Sequence, residues 1–369
     1  MSAWGYAERR SLWQWLHLDP WLFGLLLLLA GIGLATVYSA TAGDMGMLQA
    51  QAQRMGVGLV ALLIVARCPP NWFHGLALPA YAVCLMLLVG VYLFGTEVNG
   101  ARRWLDFGGI RLQPSELMKI LLPLALAALL APARWPLGLI SLFLGAIVIA
   151  LPVGLIAVQP DLGTALMVVA PGVFLMFLAG LRWRIIVGLV ALAMAALPAL
   201  WYAMHDYQRL RVLTLFNPEA DPRGAGYHII QSKIAIGSGG MSGMGWMEGS
   251  QARLDFLPEP HTDFIFAVFA EEHGFIGVVG LLLLYVAICA RGLMIAASSS
   301  ERFGRLLSST LSLTVFLYAF VNIGMVSGIL PVVGVPLPLM SYGGSSILSL
   351  SVAFGLLMSV HAHRRSSLL

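Results

Sequence analysis

Trp21-Leu22-Phe23-Gly24-Leu25-Leu26-Leu27-Leu28-Leu29-Ala30-Gly31-Ile32-Gly33-Leu34-Ala35-Thr36-Val37-Tyr38-Ser39 contains no charged residue. A helix of ~20 mainly apolar residues crosses the ~30 Å hydrocarbon core of a bilayer. The unbroken leucine run rules out a barrel strand, in which apolar and polar residues alternate. It also rules out disorder, which needs low hydrophobicity. The whole chain of 369 residues has the same character: 59% is hydrophobic and 10% is charged, with a mean hydropathy of +0.88. Soluble domains have ~25% charged residues, so this chain lacks the polar surface to stand in water. The net charge of +4 does not indicate nucleic acid, because the basic residues are scattered between apolar runs.

Working outward from that first run predicts an all-α polytopic membrane protein, a single membrane domain over 1–369, with ten spans. They fall near 21–39, 50–66, 76–94, 115–131, 136–158, 162–181, 185–204, 264–290, 306–330 and 345–361. The N-terminal stretch 1–20 lacks the shape of a cleaved signal peptide, so 21–39 is expected to be an uncleaved first span. With the N-terminus inside, the cytoplasmic segments hold eleven arginines, among them Arg134, Arg182 and Arg302, against three acids, Glu8, Asp19 and Glu301. The positive-inside rule then places both termini in the cytoplasm. Cys68, Cys84 and Cys289 lie in or beside apolar runs without metal-ligand spacing and read as inert helix residues.

Two outer segments, 95–114 and 205–262, carry most of the polar chemistry. A loop as long as the second is uncommon without a function. Its apolar anchors predict that it folds back onto the membrane surface, and Gly237-Ser238-Gly239-Gly240 within it reads as a flexible loop. Asp263 sits between this loop and the eighth span. It is either an ordinary first-turn acid or a partly desolvated carboxylate able to take a proton. Glu116 and Lys119 are three apart at the start of the fourth span, on one helical face. They neutralise each other, hold substrate, or do both. Arg102, Arg103, Arg209, Arg211, Arg223 and Lys233 supply positive charge suited to phosphate, or anchor to headgroups and nearby acids. Gln159-Pro160-Asp161 is a turn from which Asp161 either reaches a cavity or does not. Glu271-Glu272-His273 inside the eighth span is expected to be a buried hydrogen-bonded cluster, because adjacent residues point about 100° apart on a helix.

Several stretches resemble one family. They are Arg103-Trp104-Leu105-Asp106, Gln113-Pro114-Ser115-Glu116 with Lys119, and Gln159-Pro160-Asp161-Leu162-Gly163-Thr164. Further along come Asp221-Pro222, Gly224-Ala225-Gly226-Tyr227-His228-Ile229-Ile230-Gln231-Ser232 and Ala235-Ile236-Gly237-Ser238-Gly239-Gly240. The set closes with His261-Thr262-Asp263-Phe264 and Pro331-Val332-Val333-Gly334-Val335-Pro336-Leu337-Pro338 through Ser341-Tyr342-Gly343-Gly344-Ser345. In order, and from about residue 18 onward, these resemble the SEDS family (shape, elongation, division and sporulation). The short N-terminal segment, the Tyr227–Lys233 run and the form of His261-Thr262-Asp263 favour its rod-shape branch.

The resemblance implies a peptidoglycan glycosyltransferase of the cytoplasmic (inner) membrane, with its active site on the outer face, polymerising lipid II for elongation. Lipid II is an undecaprenyl-pyrophosphate disaccharide-pentapeptide. A class B penicillin-binding protein would be the transpeptidase partner, with other elongation-complex proteins and membrane lipid beside it and no nucleic acid. Asp263 is then expected to be the catalytic base of an inverting transfer. Glu116, Lys119, Arg102, Asp161, Arg209, Lys233 and His261 are expected at the substrate. No cofactor is required by this reading, which leaves room for a divalent cation, magnesium or manganese. The competing expectation is a lipid II flippase, to which many spans with intramembrane charges would also be suited.

Overall fold

The computed structural model describes residues 12–98, 101–107, 110–159, 161–204, 206–220, 225–253, 256–257 and 259–363. After a short α1 (Leu12–Leu16) come α2 (Pro20–Ala40), α3 (Met45–Arg67) and α4 (Pro70–Phe94). The polar segment that follows α4 is β-structure: β1 (Thr96–Val98), β2 (Ala101–Phe107) and β3 (Ile110–Leu112) form an antiparallel meander. The bundle resumes with α5 (Pro114–Leu130), α6 (Leu139–Val158), α7 (Leu162–Gly180) and α8 (Trp183–Ala203). The long polar segment after α8 holds α9 (Asp206–Phe216), α10 (Ala225–Ser238) and α11 (Ser250–Arg253), and the last described helices are α12 (Ile265–Ala297), α13 (Arg302–Val326) and α14 (Gly344–His363).

Among the described residues, eight helices are long and apolar enough to cross a membrane: α2, α3, α4, α6, α7, α12, α13 and α14. The 17-residue α5 and the 21-residue α8 occupy the positions expected of the fourth and seventh spans. Aspartates and prolines start several of these helices. Asp19 accepts the Leu22 N–H at 2.8 Å ahead of Pro20, and Asp44 accepts the Gly46 N–H at 2.7 Å. Both satisfy donors that a helix start leaves open. Helices α5, α13 and α14 form the buried centre, whereas Leu139, Ile140 and Phe143 of α6 point outward.

The stretch Gly237–Gly240 is not a flexible loop. It closes α10 and leads into a turn packed on α12, which is broken at Gly274 (φ 63°, ψ −165°). Across the break the Phe275 and Ile276 N–H groups donate to the carbonyls of Gly240 (2.9 Å) and Met241 (3.1 Å). The carbonyls of Glu271 and Glu272 accept from Met244 (3.0 Å) and Gly245 (3.1 Å). A broken helix in an apolar setting must have its freed backbone groups satisfied, and glycine permits the close approach. A side chain on Gly239 would collide with the Ala270 carbonyl, and one on Gly243 with the backbone of Glu272.

The two glutamates form the expected buried cluster with this turn. Glu271 accepts from the Ser250 N–H (2.7 Å), the Ser250 hydroxyl (3.0 Å) and the Gln251 N–H (3.1 Å). Glu272 accepts from the Ser39 hydroxyl and the Met247 N–H.

Candidate active site

A cavity of ≈ 660 Å³ opens where the starts of three helices meet. Its wall includes Gln113, Glu116 and Lys119 from the first turns of α5, and Asp161, Gly163 and Thr164 at the start of α7. Gly343, Ser345 and Ser346 contribute the start of α14. The unpaired N–H groups of a helix start, together with its dipole, favour an anion. Three starts around one cavity make it receptive to phosphate.

The charged side chains in the wall are largely paired. Lys119 Nζ lies 2.5 Å from Glu116 Oε1, both residues are buried, and the ammonium sits 5.4 Å from the Tyr318 ring centre. The spacing of three thus gives the expected pair. Asp161 caps α7 by accepting the Thr164 N–H at 3.2 Å, and its Oδ2 lies 3.3 Å from Arg103 Nε. Lys119 and Arg103 both reach the cavity while each stays against its carboxylate.

Asp263 lines the same cavity, half-buried, one residue before the Phe264 N-cap of α12. It is not the cap of that helix. Its place is set by three successive carbonyls. The His261 carbonyl accepts the Tyr342 N–H at 2.8 Å, and the Thr262 carbonyl accepts the Ser341 hydroxyl at 2.6 Å. The Asp263 carbonyl accepts the Asn322 amide at 2.9 Å, and the same amide nitrogen donates to Val335 at 2.7 Å. Buried Gln51 donates to the Ser341 carbonyl at 3.0 Å, which steadies that clamp from α3. Gly334 (φ 72°) faces the carboxylate: a Cβ there would stand 3.3 Å from Asp263 Oδ2. On the α7 side, a Cβ at Gly163 would come to 2.6 Å from the Val333 carbonyl, so the Pro331–Pro336 wall rests on bare backbone.

Of the expected site residues, Asp263, Glu116, Lys119 and Asp161 line one cavity. The Arg102 and Arg211 side chains lie outside the described residues, as do Asp221 and Arg223 altogether. The neighbouring Arg103 is the arginine in the wall. Arg209 is not in the wall. It donates to the carbonyls of Trp201 (2.9 Å) and Tyr202 (2.7 Å), closing the end of α8. Lys233 is also outside it, with its ammonium over Gly328 just beyond the end of α13. His261 stands behind the wall, its ring 5.5 Å from that of Tyr342 and 3.8 Å from the exposed Glu259 carboxylate. Sequence reading missed Asn322, Gln51 and the Arg54 guanidinium, 4.2 Å above the Tyr342 ring, and met Ser341 only as part of a family stretch. A polar residue within an apolar span was the available signal.

A divalent cation needs convergent oxygen ligands. Among the described residues no group of three or more His, Cys, Asp or Glu side chains could hold a metal ion, and Glu116 and Asp161 are already committed to cations. The donor set does not fit a protein-held cation, and no chemical step is assigned to one.

The family of cell cycle proteins that comprises FtsW, RodA and SpoVE matches residues 17–366. The chain is similar to the peptidoglycan glycosyltransferase MrdB of Escherichia coli strain K12, at 49% identity over 359 residues covering 97% of each chain. It is also similar to a chain of a peptidoglycan synthase complex described as coordinating polymerization and crosslinking. The TM-score is 0.82 and the identity 38%, over 94% of this chain and 98% of that one. The rod shape determining protein RodA of Thermus thermophilus aligns with a TM-score of 0.73 and 34% identity, over 95% of this chain and 99% of that one.

Proposed function

The chain belongs to the FtsW, RodA and SpoVE family of cell cycle proteins, and from that premise we propose that it is the peptidoglycan glycosyltransferase of cell elongation, with Asp263 as its general base. It is an integral membrane protein whose substrate is lipid II. Asp263 takes the proton from the acceptor 4-hydroxyl as that oxygen attacks the anomeric carbon of the donor sugar. The bond to the undecaprenyl pyrophosphate breaks in the same step, the configuration inverts, and a β-1,4 bond forms. Charge then grows on the departing pyrophosphate. Lys119, Arg103 and the N-terminal turns of α7 and α14 are placed to receive it, and fixed donors aimed at developing charge need no reorganisation. Both termini lie in the cytoplasm and the cavity faces outward, a reading supported by the arginines of the short inner turns. A class B penicillin-binding protein crosslinks the strands beside it.

The observation that carries this reading is the clamp on Asp263: three consecutive carbonyls are held so that one carboxylate faces an anion-receptive cavity. A flippase would need polar groups along a path through the bilayer. Here the opposite end of the bundle is closed by Asp19, buried and bonded to Arg291 at 2.6 Å.

The test is polymerisation of labelled lipid II by the purified protein, alone and with its transpeptidase. A positioned base contributes ~10²–10⁴-fold, so Asp263→Asn should nearly abolish glycan while membrane insertion and abundance are retained. Polymer formed by Asp263→Asn at the parental rate would end the assignment. Translocation of lipid II without any polymer from the parent protein would favour the flippase.

A further inference from the structure

At the end of the bundle away from Asp263, a second cavity of ≈ 520 Å³ lies between the last turns of α7 and α12 and the first turns of α13. Its lining has two chemical halves. Leu178, Leu293 and Leu306 form an apolar part, while Arg302, Arg305 and Trp135 form a rim. The rim is built. Arg302 donates to the carbonyls of Ala133 and Ala179, the latter at 3.0 Å, and so ties the α5–α6 turn to the end of α7. Leu137 N–H adds a bond to the Gly180 carbonyl at 3.1 Å. The Trp135 ring lies on the backbone of Gly180 (φ 111°), which has no room for a side chain beneath it. With Arg302 spent on carbonyls, Arg305 is, among the described residues of the lining, the exposed cation left at the mouth, one turn into α13. The surrounding turns add the exposed Arg134, Arg182 and Arg184 against a single acid, Glu301.

We infer that this cavity binds one phospholipid with a net negative headgroup, from the leaflet opposite the Asp263 cavity. The apolar half matches an acyl chain. The exposed Trp135, in the turn between two apolar helices, is the kind of ring that favours membrane interfaces. Arg305 and the start of α13 meet the headgroup phosphate, and basic pockets between spans on the cytoplasmic side are suited to anionic lipids. The excess of arginine over acid selects a negative headgroup over a zwitterionic one. Identifying that leaflet as the inner one rests on the orientation proposed above; the binding chemistry does not.

Native mass spectrometry of the detergent-purified protein, offered phosphatidylglycerol and phosphatidylethanolamine in equal amounts, tests the site. The parent should retain phosphatidylglycerol preferentially. Arg305→Gln should lower that retention about fivefold, the scale of one arginine at a charged membrane surface. Leu293→Trp, which fills the apolar half and leaves every charge, should also lose the lipid while melting near the parental temperature. Arg184→Gln, outside the lining, should retain it. Equal retention of the two lipids by the parent, or an equal loss from Arg184→Gln and Arg305→Gln, would refute a discrete site. If Leu293→Trp does not fold, the two arginine variants decide. Binding in micelles is read whichever way the protein sits in the membrane. A reporter fused after residue 302 that signals outside would refute the orientation and leave the site standing.

Discussion

At the scale of single residues, the cavity sets a clamped carboxylate, Asp263, which we propose to react, beside a pair of opposite charges that hold each other. Glu116 and Lys119 are buried and 2.5 Å apart. Removing one partner of such a pair strands the other and costs ~3–5 kcal/mol. Either alanine variant should therefore lower the amount of folded protein, while the exchange Glu116→Lys with Lys119→Glu should recover part of it without recovering polymerisation, as read by membrane abundance and glycan assay. Asn322 acts through Asp263. Asn322→Ala strips the amide from two carbonyls, a loss of about 1–3 kcal/mol, and a drift of the carboxylate by about 1 Å can cost ~10²-fold in rate. Turnover should fall by that order with little change in KM, and far more than the amount of folded protein falls. A rate that simply follows folded protein would make Asn322 structural only. The Glu-Lys pair was legible in the sequence because its two members are one helical turn apart. Asn322 was not, since it lies 59 positions from the carbonyl it holds.

At the scale of elements, α12 is the unusual member. Its 33 residues would span about 50 Å as one straight rod, more than the ~30 Å of hydrocarbon. The break at Gly274 divides it, and the turn 239–251 fills the break with backbone bonds and engages both glutamates. Gly243 has φ 82° and no space for a methyl group. Gly243→Ala should cost at least the ~1–2 kcal/mol of a left-handed alanine and push the turn off α12, seen as a lower melting temperature and proteolysis within 239–251. Gly237→Ala, with nothing within 4 Å of its added carbon, is the control and should melt like the parent. The break could not be read from the sequence. Gly274 follows the polar Glu271-Glu272-His273 inside a longer apolar run, a pattern that a continuous buried helix would also show, and only the partner turn satisfies the backbone groups that the break sets free.

At the scale of the whole molecule, the end of the bundle opposite Asp263 is closed by Asp19, which joins α2 to Arg291 of α12 and lies 3.5 Å from His361 of α14. Burial pushes the Asp19 carboxyl up, but bonds from Arg291 and the Leu22 N–H, with the charges of His361 and Arg291, outweigh it and hold it below its ordinary value. A depressed carboxyl adds stability above its unfolded value of ~3.9, and that stability is lost as pH falls through the lower folded value. Asp19→Asn should therefore melt below the parent at pH 7, by about 3 kcal/mol at most since Arg291 is 26% exposed. The gap should begin to narrow below about pH 4 and close only as the pH falls through the lower folded value; a gap unchanged at the acid end of that window would remove the ion pair from the account. The apolar helices, their approximate ends, the two polar segments between them and the Glu-Lys pair were determined by the sequence itself, because hydrophobic runs and helical spacing are local properties that act the same in any fold. The choice of Arg103, the diversion of Arg209 and Lys233 to helix ends, the clamp on Asp263, the break in α12 and the closure by Asp19 were decided only by the tertiary structure. Each depends on a carbonyl, a ring or a charge that packing brings from a distant part of the chain, and no local pattern encodes which distant group will arrive.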